Sequence, residues 1–462
     1  MGDLSAYRPR LDGLLAEIAA EHKLPGAACG VLVGDDVAIA TYGVGNVATR
    51  VPVTPDTLFQ IGSITKVYTA TLVLQAQAAG VVSLDEPVRA QLQEFMVADP
   101  GATIEITPRH LLTHTSGIEG DHLIDTGWNA DALQRYMATL AGLGQIHPTD
   151  EAYSFCNTGY AVIGRLLEEA TGEHFDRVLR RRLTRPLGCR ATLTLPQHAL
   201  LHNVAVGHVQ TPGGEPSRQA RWALTRSNGP MGGVLAPPGE LLAFARMHLD
   251  GGRAADGTDL LAPADVAAMA RVHVECPIPG EEQALGWTVR RWGELVVLGQ
   301  DADTFGQRAC LRIVPERRTA ICVMTNSPPG GAVAQALLDR LAEDLLDVGP
   351  DAADRPAIAP GRGGPGPDLA GHDGVYERLH QRVTVRGGAG GAPVLVTEPS
   401  GVLQALGVRD AELPLAAVDG VGAVFAMRDP ASHTREHVVF VTRPDGPPTG
   451  LYIAGRLHRR LG

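Results

Sequence analysis

The most restrictive feature of the sequence is a split strand pattern, with hairpin signals near the start, more near residues 286–324, and a long helical stretch between them. Leu4 to Glu21 places Tyr7, Leu11, Leu14, Leu15 and Ile18 at helical spacing, which predicts an opening amphipathic helix. Ala28 to Val33 and Val37 to Tyr42 are apolar runs joined by Gly34-Asp35-Asp36, a hairpin signal. Ser63 to Ala79 is apolar on most sides and predicts a core helix with Ser63 in its first turn. From about residue 85 to 250 the pattern is mostly helical, including Ala161 to Ala170, Phe175 to Leu183 and Pro238 to Leu249. Strand spacing returns at Gly286 to Arg291, Leu295 to Leu298, Ala309 to Val314 and Ala320 to Met324, before a closing helix over Ala332 to Leu346. One domain whose sheet is built from both ends of its chain satisfies this order. The expected class is α/β (α+β): an antiparallel sheet flanked by helices, with a helical insert.

Residues 349–368 cannot continue either pattern, because Pro360 to Pro367 alone holds seven glycines or prolines. The predicted organisation is a domain over 1–348, a linker over 349–368 and a small β domain over 369–462. Its strands are expected at Gln381 to Val385, Pro393 to Val396, Val438 to Thr442 and Gly450 to Ile453. The basic segment Arg456 to Arg460 reads as a solvated end.

Charge and composition exclude several classes of function. A formal charge of -11, with no basic stripe, disfavours nucleic acid and anionic membrane as partners. No apolar run reaches eighteen residues and charges recur through Met1 to Lys23, so a cytoplasmic location is expected. Six dispersed cysteines, with no C-x-x-C pair, are expected to be free thiols. His110 and His114 lack a third ligand, and Gly229 to Gly233 lacks a phosphate-binding context, so neither metal nor cofactor is expected.

Of the forty basic residues only Lys23 and Lys66 are lysines, which makes Lys66 informative. In Gly62-Ser63-Ile64-Thr65-Lys66 the serine and lysine stand three apart and share a helix face. At a helix N-terminus, unpaired backbone N–H groups can receive a developing oxyanion. Burial lowers a lysine pKa toward the range in which the amine takes a proton from serine. The alternative for this motif alone is an ordinary helix start with a snorkelling lysine.

With these residues, Thr57 to Gly62, Ser83 to Val88 and Ile106 to Gly117 make residues 10–345 resemble the serine β-lactamase-like and penicillin-binding-protein-like enzymes. The branch resembled holds class C β-lactamases, D-alanyl-D-alanine carboxypeptidases and related esterases. The trailing domain resembles the lipocalin-like domain of some members. The resemblance implies a β-lactamase/transpeptidase-like fold, with Ser63 as nucleophile and Lys66 as base. It also implies a Y-x-N motif, which falls on Phe155 and Asn157, so Asn157 is the expected substrate contact and phenylalanine stands where tyrosine relays the proton. Tyr153, two residues earlier on an extended segment, is the candidate to supply a hydroxyl. The K-T-G or H-x-G strand falls on Gln300, Asp301 and Ala302, with the Asp303 N–H a candidate oxyanion donor. Gln300 removes a cation that would meet a substrate carboxylate, and Ala302 adds a methyl where close approach is usual. Carboxylate-bearing β-lactam and D-Ala-D-Ala substrates are therefore disfavoured.

The favoured reading is an acyl-serine hydrolase or acyltransferase acting on an ester or amide of a small molecule or peptide, in secondary metabolism. Its catalytic residues would be Ser63, Lys66, Tyr153 and Asn157, with Phe155, Gln300, Ala302 and Asp303 binding substrate. The resemblance extends to penicillin-binding-protein-type peptide cyclases. The competing reading is a divergent member that binds ligand, or runs acid–base chemistry without a covalent intermediate.

Overall fold

The structure is a computed structural model. It describes residues 4–210, 215–219, 221–222, 224–349, 371–387, 393–405, 408–417, 424–428, 435–443 and 446–461. Of the predicted linker, all but Gly349 lies outside the described residues.

The opening helix α1 (Leu4–Glu21) leads into the hairpin β1 (Gly26–Val33) and β2 (Asp36–Gly43). Strands β3 (Val274–Glu275), β4 (Glu282–Gln283), β5 (Thr288–Trp292), β6 (Leu295–Thr304), β7 (Gln307–Val314) and β8 (Thr319–Thr325) complete an eight-stranded sheet. Its order is β2-β1-β8-β7-β6-β5-β4-β3, so β1 and β8, from opposite ends of the domain, pair antiparallel one strand in from the β2 edge, with Cys29 opposite Val323. Side chains alternate across β1. Ala27, Cys29 and Val31 enter one core with α1 and the closing helix, whereas Ala28 and Leu32 enter the larger core on the other face.

That larger core holds α2 (Thr65–Ala78), α3 (Asn157–Thr171) and α4 (Pro238–Leu249), while α5 (Gly330–Leu346) closes the first face. The insert is less helical than its pattern predicts. It contains short helices such as Pro100–Glu105 and Pro108–Leu112, and the strand pair Phe59–Gln60 and Leu235–Ala236 pins its ends. The helix expected over Phe175 to Leu183 is α-helical only through Phe175–Leu179 and then widens into a π-turn at Arg180–Thr184.

The second domain is barrel-like. Its strands are β9 (Gly374–Arg378), β10 (Gln381–Gly387), β11 (Pro393–Pro399), β12 (Ala411–Pro414), β13 (Ala416–Ala417), β14 (Val424–Arg428), β15 (Arg435–Arg443), β16 (Gly446–Ile453) and β17 (Arg456–Arg460). They run in the order β12-β11-β10-β9-β17-β16-β15-β14-β13 around a core that includes Tyr376, Phe425, Phe440 and Leu451. The segment expected to be a solvated end is instead β17, paired with both β16 and β9. Its His458 is fully buried, because alternation along a two-sided strand turns Arg456 and His458 inward.

Candidate active site

Ser63 stands in the 3-10 turn Gly62–Ile64, two residues before α2 begins. Gly62 is required there: its φ of +44° disfavours other residues, and a Cβ would lie 3.0 Å from Ala302 Cβ and from Thr304 Cγ2. The turn is thus pressed against β6. Strand β5 pairs with β6 only along Leu295–Gly299, and residues 300–304 turn their outer edge toward the serine. Through this contact the Asp303 backbone approaches Ser63, while the Asp303 carboxylate turns away to pair with Arg308 at 2.8 Å.

Lys66 lies one turn along, fully buried. Its Nζ donates to Ser63 Oγ at 2.9 Å and to the Met231 carbonyl at 2.9 Å. Desolvation, with a smaller contribution from the positive Arg456, pulls the amine down to about 7, and Asp121 and Cys156 partly counter this. Once the amine is neutral, its lone pair can accept the Ser63 proton along the same short contact. Thr69 Oγ1 donates to the Pro230 carbonyl at 2.7 Å, so Gly229 to Gly233 is fixed to α2 at two points.

Phe155, Tyr153 and Asn157 all line the same cleft, of about 1440 Å³, as does Ser63. The Phe155 ring centroid lies 4.8 Å from Lys66 Nζ and 4.6 Å from the Arg456 guanidinium carbon. Tyr153 is buried, its ring edge-on to His114 and its hydroxyl hydrogen-bonded with the Cys276 thiol, and burial lifts its pKa well above the usual phenol value. His114 is structural: its Nδ1 accepts from the Cys156 N–H at 3.0 Å and its ring packs on Phe155 and Tyr160. Asn157 opens α3 and donates from Nδ2 to Asp121 Oδ1 at 2.8 Å. Gln300 is buried and donates from Nε2 to the Gly286 carbonyl at 3.2 Å. Ala302 is buried against Gly62.

The second domain supplies residues that the sequence pattern did not mark. Ala454 and Gly455, with φ of +49° and +73°, form the two-residue turn between β16 and β17, and the Gly455 carbonyl accepts from the Phe155 N–H at 2.9 Å. This turn carries Arg456 into the cleft. Arg456 Nε donates to Asp121 Oδ2 at 2.8 Å and Nη1 to the Ala454 carbonyl at 3.1 Å, which leaves Nη2 without a hydrogen-bond partner among the described residues. Arg378, on β9, donates to the same Asp121 oxygen at 2.8 Å. Among the described residues no three His, Cys, Asp or Glu side chains are placed to hold a metal ion, and no helix is long and apolar enough to cross a membrane.

A family model described as Beta-lactamase matches residues 11–345. "Penicillin-binding protein 4" of Amycolatopsis lactamdurans is 39% identical over 349 residues, covering 74% of this chain and 90% of that protein. The crystal structure of SurE superposes with a TM-score of 0.77 at 30% identity, over 99% of this chain and 100% of that one. A structure of SurE with D-Leu gives a TM-score of 0.71 at 28% identity, with coverage of 99% and 100%.

Proposed function

Because the chain belongs to the β-lactamase family of serine hydrolases and acyltransferases, we propose that Ser63 and Lys66 are its nucleophile and base. The substrate we infer is an ester or amide of a peptide or small molecule with a free carboxylate near the scissile bond. The contact of 2.9 Å between Lys66 Nζ and Ser63 Oγ, in a site that lowers the amine to about 7, carries this reading.

Lys66 takes the hydroxyl proton as Ser63 Oγ bonds to the carbonyl carbon. The oxyanion then faces the backbone N–H groups of Ser63 and Asp303. As the tetrahedral intermediate collapses, the bond to the leaving group breaks, Lys66 returns the proton to it, and acyl-Ser63 remains. Water or an amine, deprotonated by Lys66, attacks that ester; the bond to Ser63 Oγ breaks and Lys66 returns the proton to Oγ, which frees Ser63. Asn157 borders the acyl chain, and Tyr153 forms the cleft wall.

Gln300 is engaged with Gly286 and offers no charge, but Arg456 brings a cation into the cleft from the other domain. Its unpaired Nη2 edge suits a carboxylate. On this reading a carboxylate-bearing substrate is favoured, against the expectation from Gln300 and Ala302. The D-Leu bound in the structure of SurE supports a D-amino acid as the carboxylate-bearing unit. A role in secondary metabolism, and peptide release by cyclisation, follow from the same reading when the resolving nucleophile is the substrate's own amine.

The test is intact-mass spectrometry after exposure to a fluorophosphonate, an activated ester and a β-lactam. The wild type should gain a single acyl or phosphonyl mass, and Ser63→Ala and Lys66→Ala should gain none. Labelling that survives Ser63→Ala would place the nucleophile elsewhere, and no labelling of the wild type by any reagent would instead favour a ligand-binding role.

A further inference from the structure

The most heavily engaged buried charge outside the Ser63–Lys66 pair is Asp121, whose side chain is 4% exposed. It accepts three hydrogen bonds of 2.8 Å, one from Asn157 Nδ2, one from Arg378 Nη1 and one from Arg456 Nε. Two of these donors come from the second domain and the third from the first residue of α3. An ionised carboxylate accepts without donating, so it can serve an amide and two guanidinium groups at once. The paired cations hold its pKa well below the usual carboxylate range despite its burial.

We propose that Asp121 is a positioning residue: it fixes the Arg456 guanidinium and the Asn157 amide in one orientation across the domain junction, in register with Ser63. The proposal rests on the reading of Arg456 as the substrate's carboxylate partner. Without the Asp121 charge, Arg378 and the part-buried Arg456 repel each other with the more weakly coupled Glu119 and Glu436 left to offset them, and removing one partner of such a cluster costs more than the intact cluster contributes. Arg456 then keeps only its bond to the Ala454 carbonyl and turns about its own stem. Asp121 acts on Lys66 as well. The groups that face Lys66 are Arg456 and Asp121 across the cleft, Cys156 and His114 behind Phe155, and the Tyr160 ring. Asp121 is the anion among them, and its loss makes Lys66 a weaker base.

The test uses the full chain and two chromogenic esters that differ only in a free carboxylate or a carboxamide beside the ester. Asp121→Asn should lower the preference for the carboxylate ester, taken as the ratio of kcat/KM values, at least tenfold and mainly through KM. It should also move the acid limb of the pH profile below that of the wild type. Asp121→Glu, which keeps the charge, should restore the limb and part of the preference, and it serves alone if Asp121→Asn does not fold. Arg456→Ala should abolish the preference and add nothing further in the Asp121→Asn background. Equal slowing of both esters by Asp121→Asn with an unmoved limb would overturn the proposal and leave Asp121 a structural ion pair. If the wild type shows no preference and Arg456→Ala changes nothing, the carboxylate reading itself fails and the proposal falls with it. A normal effect of Arg456→Ala beside an inert Asp121→Asn overturns the positioning role alone.

Discussion

At the scale of single residues, Lys66 makes the sharpest demand on its surroundings. Its folded pKa, near 7, lies far below the 10.5 of an unperturbed lysine. Below pH 7 the amine is protonated and cannot accept from Ser63, so acylation, read as kcat/KM for an activated ester, should rise about tenfold per pH unit toward a plateau just above pH 7. The same shift makes the unfolded chain the better proton binder between about pH 7 and 10.5, and over that window the penalty of burying Lys66 is relieved as pH rises. Phe155 lies against this amine without a hydroxyl, so Lys66 alone carries the proton to the leaving group, with no tyrosine to relay it. Phe155→Tyr should therefore speed ester hydrolysis by about tenfold or more, given the ~10²–10⁴ that a placed acid or base contributes; an unchanged steady-state rate would show that this position does not limit turnover. The contact between Ser63 and Lys66 was legible in the sequence because a helix fixes the relation of residues three apart. Whether the Tyr153 hydroxyl reaches the serine was not legible, because it depends on Cys276, far along the chain, whose thiol engages that hydroxyl.

At the scale of elements, two edges meet in the cleft: the uncovered end of β6 and the turn between β16 and β17. The second holds Ala454 at a φ of +49°, in the left-handed region that costs a residue with a side chain about 1–2 kcal/mol. Ala454→Asn would give the Asn-Gly pair that such two-residue turns favour. It should raise stability by up to about 1 kcal/mol, read as a higher Tm, with the carboxylate preference retained. The first hairpin, α2 and the strand-rich end of the first domain were legible because each carries its own period. The insert was less so, since its short helices are set by caps such as Asp99 and Thr107 and by tertiary contacts rather than by an apolar stripe. Arg456 was masked by the opposite problem. A short basic run looks solvated until alternation on a paired strand turns Arg456 and His458 inward.

At the scale of the whole molecule, the cleft is shared. Ser63, Lys66, Asn157 and Asp121 belong to the first domain, and Arg378 and Arg456 to the second, while Ile146 packs on Tyr452 and Leu457 to seal part of the junction. Two domains were legible from the break in composition, but their mutual placement was not. It rests on a few long-range contacts, such as the bond between the Phe155 N–H and the Gly455 carbonyl, that leave no local pattern. This division also has a consequence in time. Domains fold as units during synthesis, at roughly 5–20 residues per second. The first sheet closes once β8 and α5 have emerged, and about 110 residues still separate α5 from Arg456. For something like 5–20 s, each newly made molecule therefore holds a finished serine and lysine but lacks the arginine that completes the cleft. On the roles proposed for Ser63, Lys66 and Arg456, the nascent enzyme is, until the last hairpin docks, a reactive centre without its selectivity.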